Sequence, residues 1–99
     1  MSRFHVYQGR QGDGLFLDVQ SDYLESYSTR MVVPLISEHE FPRPASQLNP
    51  VIELRGQRYV ALTHFIAAVP LASLGAAVGD LSNRSDEFTR ALDLLFQGY

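Results

Sequence analysis

The chain has 99 residues, which is one domain by the usual size range and enough to bury a single small core. It contains no cysteine, so it offers neither a disulfide framework nor a thiolate metal site, and a reducing compartment suits it. The formal charge is −3 and all eight cationic side chains are scattered arginines, which argues against a nucleic-acid binder working through a clustered basic face.

The opening MSRFHVY lacks an apolar h-region, and no stretch approaches the roughly 20 apolar residues that span a bilayer. A soluble, cytoplasmic chain with one domain over residues 1–99, without membrane contact, is expected. Phe4, Val6 and Tyr7 read as a short strand. GRQGDG, from Gly9 to Gly14, has three glycines but lacks the Lys-Ser/Thr of a phosphate loop, so a hairpin turn is predicted. LFLDVQ then places Leu15, Leu17 and Val19 on one face of a strand, with Phe16 and Asp18 on the other. In the β-branched run TRMVVPLI, Pro34 removes a ladder donor and is expected at an edge, a bulge or a strand end. From Ser37 to Pro50, Pro42, Pro44 and Pro50 predict a long surface loop. VIEL and RYVAL, separated by Arg55, Gly56 and Gln57, predict a hairpin with a bulge or short turn. AAVPLASLG reads as strand up to Pro70.

The last element is a helix from about Asn83 to Phe96. Phe88, Ala91, Leu92 and Leu95 fall on one face at the i, i+3, i+4, i+7 spacing. Ser82, Asn83 or Ser85 suits its cap, Asp86 and Glu87 suit its positive end and pair with Arg90, and Gly98 suits a left-handed stop. One stripe leaves Leu94 and Phe96 over. That surplus implies a second burial surface, either a wider core contact or a partner.

Catalytic and metal motifs are sparse. His5, His39 and His64 form no HxxxH or HExxH pair, no GxSxG elbow is present, and neither a metal nor another cofactor is expected. Arg58, Tyr59 and His64 have the chemistry to cut RNA, with imidazole as base and guanidinium on phosphate, although ordinary polarity on an exposed strand face accounts for them better.

In order along the chain, LFLDVQSDYLESYSTRMVVPL, LNPVIEL, AAVPLASLG and VGDLSNRSDEFTRALDLLFQGY resemble the CcdB family of toxins from bacterial toxin–antitoxin operons. DVQSD followed by RMVVPL is the most specific part. The resemblance implies a mainly β fold with an antiparallel sheet and one C-terminal α-helix. This is the SH3-like barrel type shared with the MazF/Kid ribonuclease toxins. It further implies a homodimer that binds the DNA gyrase A subunit and traps the cleaved gyrase–DNA complex, poisoning an enzyme rather than being one. A CcdA-like antitoxin would neutralise it, and operator DNA would be met only through the antitoxin complex.

Residue by residue, the resemblance assigns gyrase contact to Asp93, Phe96, Gln97, Gly98 and Tyr99, joined by Tyr23 and Leu24. Phe96 and Gly98 stand at matching places. Gln97 stands where the plasmid-type pattern has Trp, Tyr99 where it has Ile, and Asp93 where it has Asn. Either Tyr99 takes over the aromatic contact, or binding rests on Phe96 and the chain-end carboxylate. Ala91, Leu94 and Leu95 pack the helix inward or against its mate. The loops Gln8–Gly14 and Ser37–Asn49 diverge from the usual pattern, which bears on antitoxin choice. Two other readings stay open: an endoribonuclease on the same fold, and a non-toxic relative that only binds antitoxin and regulates an operon.

Overall fold

The chain folds as β1 (His5–Gly9), β2 (Leu15–Asp18), β3 (Thr29–Ser37), β4 (Val51–Leu54), β5 (Gln57–Ala61), β6 (Ala67–Pro70), β7 (Leu74–Asp80) and α1 (Ser85–Gln97). The computed structural model describes residues 1–12 and 14–99; Asp13, inside the expected GRQGDG turn, lies outside the described residues. Every strand pairing is antiparallel, in the order β4-β5-β3-β2-β1-β7 with β6 attached to β3, and the sheet curls into a half-barrel. A mainly antiparallel β fold with one C-terminal helix is what the sequence predicts.

Alternation in β2 works as expected, but both faces are used. Leu17 and Val19 join Phe4, Val6, Val33, Leu35, Ile52, Ala61, Leu81 and Phe88 in the main core, while Phe16 on the other face packs with Tyr7, Val32, Leu74 and Val69. Phe4 reaches the main core through a left-handed backbone, φ 67°, which costs a non-glycine residue about 1–2 kcal/mol. Its N–H donates to the Asp18 carbonyl and its own carbonyl accepts from Leu81 N–H, and the ring thereby stacks on Phe88 at 5.8 Å.

Pro34 departs from expectation. It lies inside β3, the longest strand and a central one, opposite Phe16 of β2. On its other side β3 changes partner, pairing with β6 over Thr29–Val32 and with β5 over Leu35–Ser37. The Pro34 carbonyl accepts from Leu62 N–H on that side. An extended residue directs its N and C=O to the same side, so the missing donor falls where the partner changes.

The Ser37–Pro50 segment opens with a 3-10 turn at Glu38–Glu40 and closes on buried Asn49. Asn49 Oδ1 accepts from Ala45 N–H and its Nδ2 donates to the Ala61 carbonyl, stapling the loop to β5. The β4–β5 turn is a two-residue one. Arg55 and Gly56 have φ of 54° and 79°, the paired left-handed pattern of a type I′ hairpin.

β6 ends at Pro70 as expected, but β7 was not legible. Its LGAAVGD carries alanines and glycines of low strand propensity, and tertiary pairing overrides them. A Cβ at Gly75 would lie 3.1 Å from the Gln8 carbonyl oxygen, a tight contact, so glycine eases the approach of this strand to β1.

The helix buries Phe88 and Ala91 and packs half-buried Leu92 on the main core. Its start differs from expectation. Neither Ser82, Asn83 nor Ser85 caps it; a 3-10 turn at Ser82–Arg84 leads in, with Asp80 Oδ1 accepting from Ser82 N–H. Glu87 pairs with Arg84 rather than Arg90, its oxygens accepting at 2.8 and 2.6 Å. Those hydrogen bonds hold the Glu87 carboxyl below its ordinary range. Gly98 stops the helix as predicted, at φ 82°, donating its N–H to the Leu94 carbonyl at 2.9 Å.

Candidate partner-binding surface

Besides Phe65, 58% exposed in the 3-10 turn Thr63–Phe65, and the marginally exposed Met1, Met31 and Leu71, large apolar side chains project into water in two groups. The first is the end of α1. Phe96 is 69% exposed and Tyr99 84%, with Gln97 and Gly98 also exposed and Asp93 half-buried beside them. Helix periodicity explains the split. Phe88, Ala91 and Leu92 turn toward the sheet, and Phe96 lies beyond the reach of the core. Leu94 and Leu95 are half-buried, between these extremes. Gln97 Nε2 lies 3.5 Å from Asp93 Oδ1, one turn back along the helix.

The second is the connection between β2 and β3. Ser21 Oγ accepts from Tyr23 N–H and caps a 3-10 turn at Asp22–Leu24, which displays Tyr23 at 94% exposure and Leu24 at 39%. Tyr27, at 60%, extends the same apolar outcrop. Sequence reasoning did not single it out, although a large aromatic in the polar stretch ESYS is the surplus-apolar signal that drew attention to Phe96. Among the described residues no hydrogen bond or ion pair joins this turn to the end of α1. The helix instead packs on the 3-10 turn Thr63–Phe65.

Beneath the Tyr23–Leu24 turn lies a polar network built from the DVQSD segment and Arg30. Asp18 and Arg30 are 0% and 1% exposed. Arg30 Nε and Nη2 both donate to Asp18 Oδ2, at 2.9 and 2.5 Å, and Nη2 stands 3.8 Å from Asp22 Oδ1. Among the described residues buried Arg30 Nη1 finds no hydrogen-bond partner, which costs about 1–3 kcal/mol. Burial pushes the Asp18 carboxyl up, and the hydrogen bonds from Arg30 and from Gln20 N–H offset this only in part. Asp22 Oδ1 also accepts from Arg3 N–H at 2.8 Å.

The residues considered for RNA cleavage each engage another partner, Tyr59 donating its hydroxyl to Gln57 Oε1. Arg58 donates through Nε and Nη2 to the two oxygens of Glu38, holding that carboxyl below its ordinary range. His64 sits instead beside Asn49, with Nδ1 3.3 Å from Asn49 Nδ2, between the rings of Phe41 and Phe65. Among the described residues no group of three or more His, Asp or Glu side chains is placed to hold a metal ion. No helix among them is long and apolar enough to cross a membrane.

A family model described as CcdB protein matches residues 3–98, so both exposed apolar sites lie within or directly beside the matched span.

Proposed function

The chain belongs to the CcdB family, and from that premise we propose that it is a toxin that binds the DNA gyrase A subunit and traps the gyrase–DNA cleavage complex. Family membership carries the coarser statement, a toxin of a toxin–antitoxin system. The observation that supports the finer one is the exposure of Phe96, Tyr99 and Tyr23 at positions that the resemblance assigns to gyrase contact. Burying an aromatic of that size against a partner is favourable by about 1.5–3 kcal/mol, and aromatic anchors of this kind dominate binding interfaces. Asp93, Gln97 and Gly98 shape the helix end around them, and Leu24 widens the second contact.

The protein acts by binding in this reading, with no catalytic step of its own. Arg58 engaged by Glu38 and His64 set against Asn49 favour binding over RNA cleavage. A homodimer would present each apolar site twice about a two-fold axis. A CcdA-like antitoxin would neutralise it in the cytoplasm.

Expression in cells, followed by detection of gyrase-linked double-strand breaks and of a complex with gyrase A, tests the proposal. Growth arrest without a gyrase complex sinks the mechanism. Growth arrest that survives removal of Gln97–Tyr99 removes the helix end from the effector surface.

A further inference from the structure

The DVQSD motif belongs to the most specific part of the family resemblance, and its polar side chains have a structural task that family membership does not name. β2 ends at Asp18 and β3 begins at Thr29, so the intervening segment lies largely outside the ladder. Within that gap Gln20 makes two hydrogen bonds through one side chain. Its Oε1 accepts from Met31 N–H at 2.9 Å, and its Nε2 donates to the Leu24 carbonyl at 3.1 Å. The amide orientation is fixed by its partners, since one is an N–H and the other a C=O.

The Gln20 backbone is held in turn. Its N–H donates to Asp18 Oδ1 at 3.0 Å, and the other oxygen of Asp18 is gripped by Arg30. Asp18 and Arg30 are the most deeply buried charges among the described residues, so the anchor for Gln20 is rigid while Gln20 itself reaches the surface. Leu24 N–H, Glu25 N–H and Tyr27 N–H close local turns onto Ser21, Asp22 and Leu24. Such short turns hold poorly unaided in water. Gln20 ties their centre, the Leu24 carbonyl, to β3, while Asp22 Oδ1 tethers the start of the turn to Arg3 N–H and faces Arg30.

We infer that Gln20 is a positioning residue for the Tyr23–Leu24 docking surface, anchored by the buried Asp18–Arg30 pair. This rests on the gyrase-binding reading for its consequence, though not for its geometry. Gln20 touches no partner; it fixes the direction in which Tyr23 and Leu24 leave the surface. A surface ordered before binding loses less conformational freedom on association.

Full-length Gln20→Ala, Tyr23→Ala/Leu24→Ala and the triple variant are compared with the wild type for binding to purified gyrase A, together with amide hydrogen exchange at Leu24, Glu25 and Tyr27. Gln20→Glu is a second probe, since it keeps an acceptor for Met31 N–H but has no donor for the Leu24 carbonyl. Gln20→Ala and Gln20→Glu should each bind gyrase A about five- to thirty-fold more weakly. Both should exchange faster at the three amides, with core amides unchanged. In the triple variant Gln20→Ala should add nothing to the Tyr23→Ala/Leu24→Ala loss, because its effect passes through those side chains.

Wild-type exchange rates in both Gln20 variants overturn the inference, as does a Gln20→Ala loss that adds in full to the double variant. If wild-type protein fails to bind gyrase A, the gyrase reading falls and the exchange measurement alone decides the role of Gln20.

Discussion

Gln97 Nε2 stands 3.5 Å from Asp93 Oδ1, so the side chain at the position where the family pattern has Trp turns back along the helix. It presents an amide edge beside the exposed rings of Phe96 and Tyr99 instead of a third aromatic face. Gln97→Trp should therefore tighten binding to gyrase A by about 1–2 kcal/mol, with melting temperature unchanged, because position 97 is exposed. Titration of gyrase A with both proteins checks this. Equal affinities would mean that the anchor lies at Tyr99 or Phe96.

Gly98 occupies the left-handed region with open space around it, since a Cβ built there meets nothing within 4 Å. Gly98→Ala then pays only the backbone cost of about 1 kcal/mol. Thermal unfolding should show a fall of about 4–8 °C. A larger fall would imply a contact that Gly98 makes in an assembled state.

Arg30→Met leaves the Asp18 carboxylate buried and unpaired, and should destabilise the protein by about 3–5 kcal/mol. The pairwise replacement Asp18→Leu/Arg30→Met removes both charges and the orphaned Nη1, and should recover most of that loss. Urea denaturation of the two variants gives the comparison. A double variant as unstable as the single one would show that the pair supports the fold beyond its own neutralisation.

The Arg84–Glu87 pair predicts a pH effect with a definite sign. The folded-state pKa of Glu87 is depressed by Arg84, so its contribution is present above the ordinary glutamate value and is lost as pH falls through the lower, folded value. Its side chain is 41% exposed, so solvent screening limits the contribution to a few tenths of a kcal/mol. The melting-temperature difference between wild type and Glu87→Gln should be positive at neutral pH and shrink toward zero below about pH 4. Asp18, shifted upward by burial, acts in the opposite direction but is common to both proteins and cancels.

Arg55 holds φ 54° in the first position of the two-residue β4–β5 turn, a conformation that Asn tolerates far better. Arg55→Asn should raise stability by about 0.5–1 kcal/mol. Chemical denaturation measures it. An unchanged midpoint would show that Arg55 makes an offsetting contact.

Hydrophobic period and turn chemistry made much of this fold legible. The Phe88, Ala91 and Leu92 stripe, the Gly98 stop, the Arg55–Gly56 hairpin and the alternation of Leu15, Leu17 and Val19 are local rules that the structure obeys. What escaped depends on distant partners. LGAAVGD becomes a strand because β1 lies beside it, and Pro34 is tolerated in a central strand because two partners meet opposite its missing N–H. Of the candidate surface, Phe96 was visible as an apolar residue off its stripe. Tyr23 and Leu24 came only through the resemblance, because nothing in DYL by itself distinguishes an exposed turn from a buried one. The network of Asp18, Gln20 and Arg30 was invisible as a network, since its members are up to 12 residues apart and meet only when β2 and β3 pair.

The helix divides its labour along its length. Phe88 and Ala91 in its first half are buried, whereas Phe96, Gln97 and Tyr99 in and after its last turn touch none of the core. Substitutions at those three positions leave the folding free energy almost untouched, so drift there is filtered by what the protein meets and hardly at all by whether it folds. Trp and Gln can therefore stand in for one another at such a site without a stabilising change elsewhere.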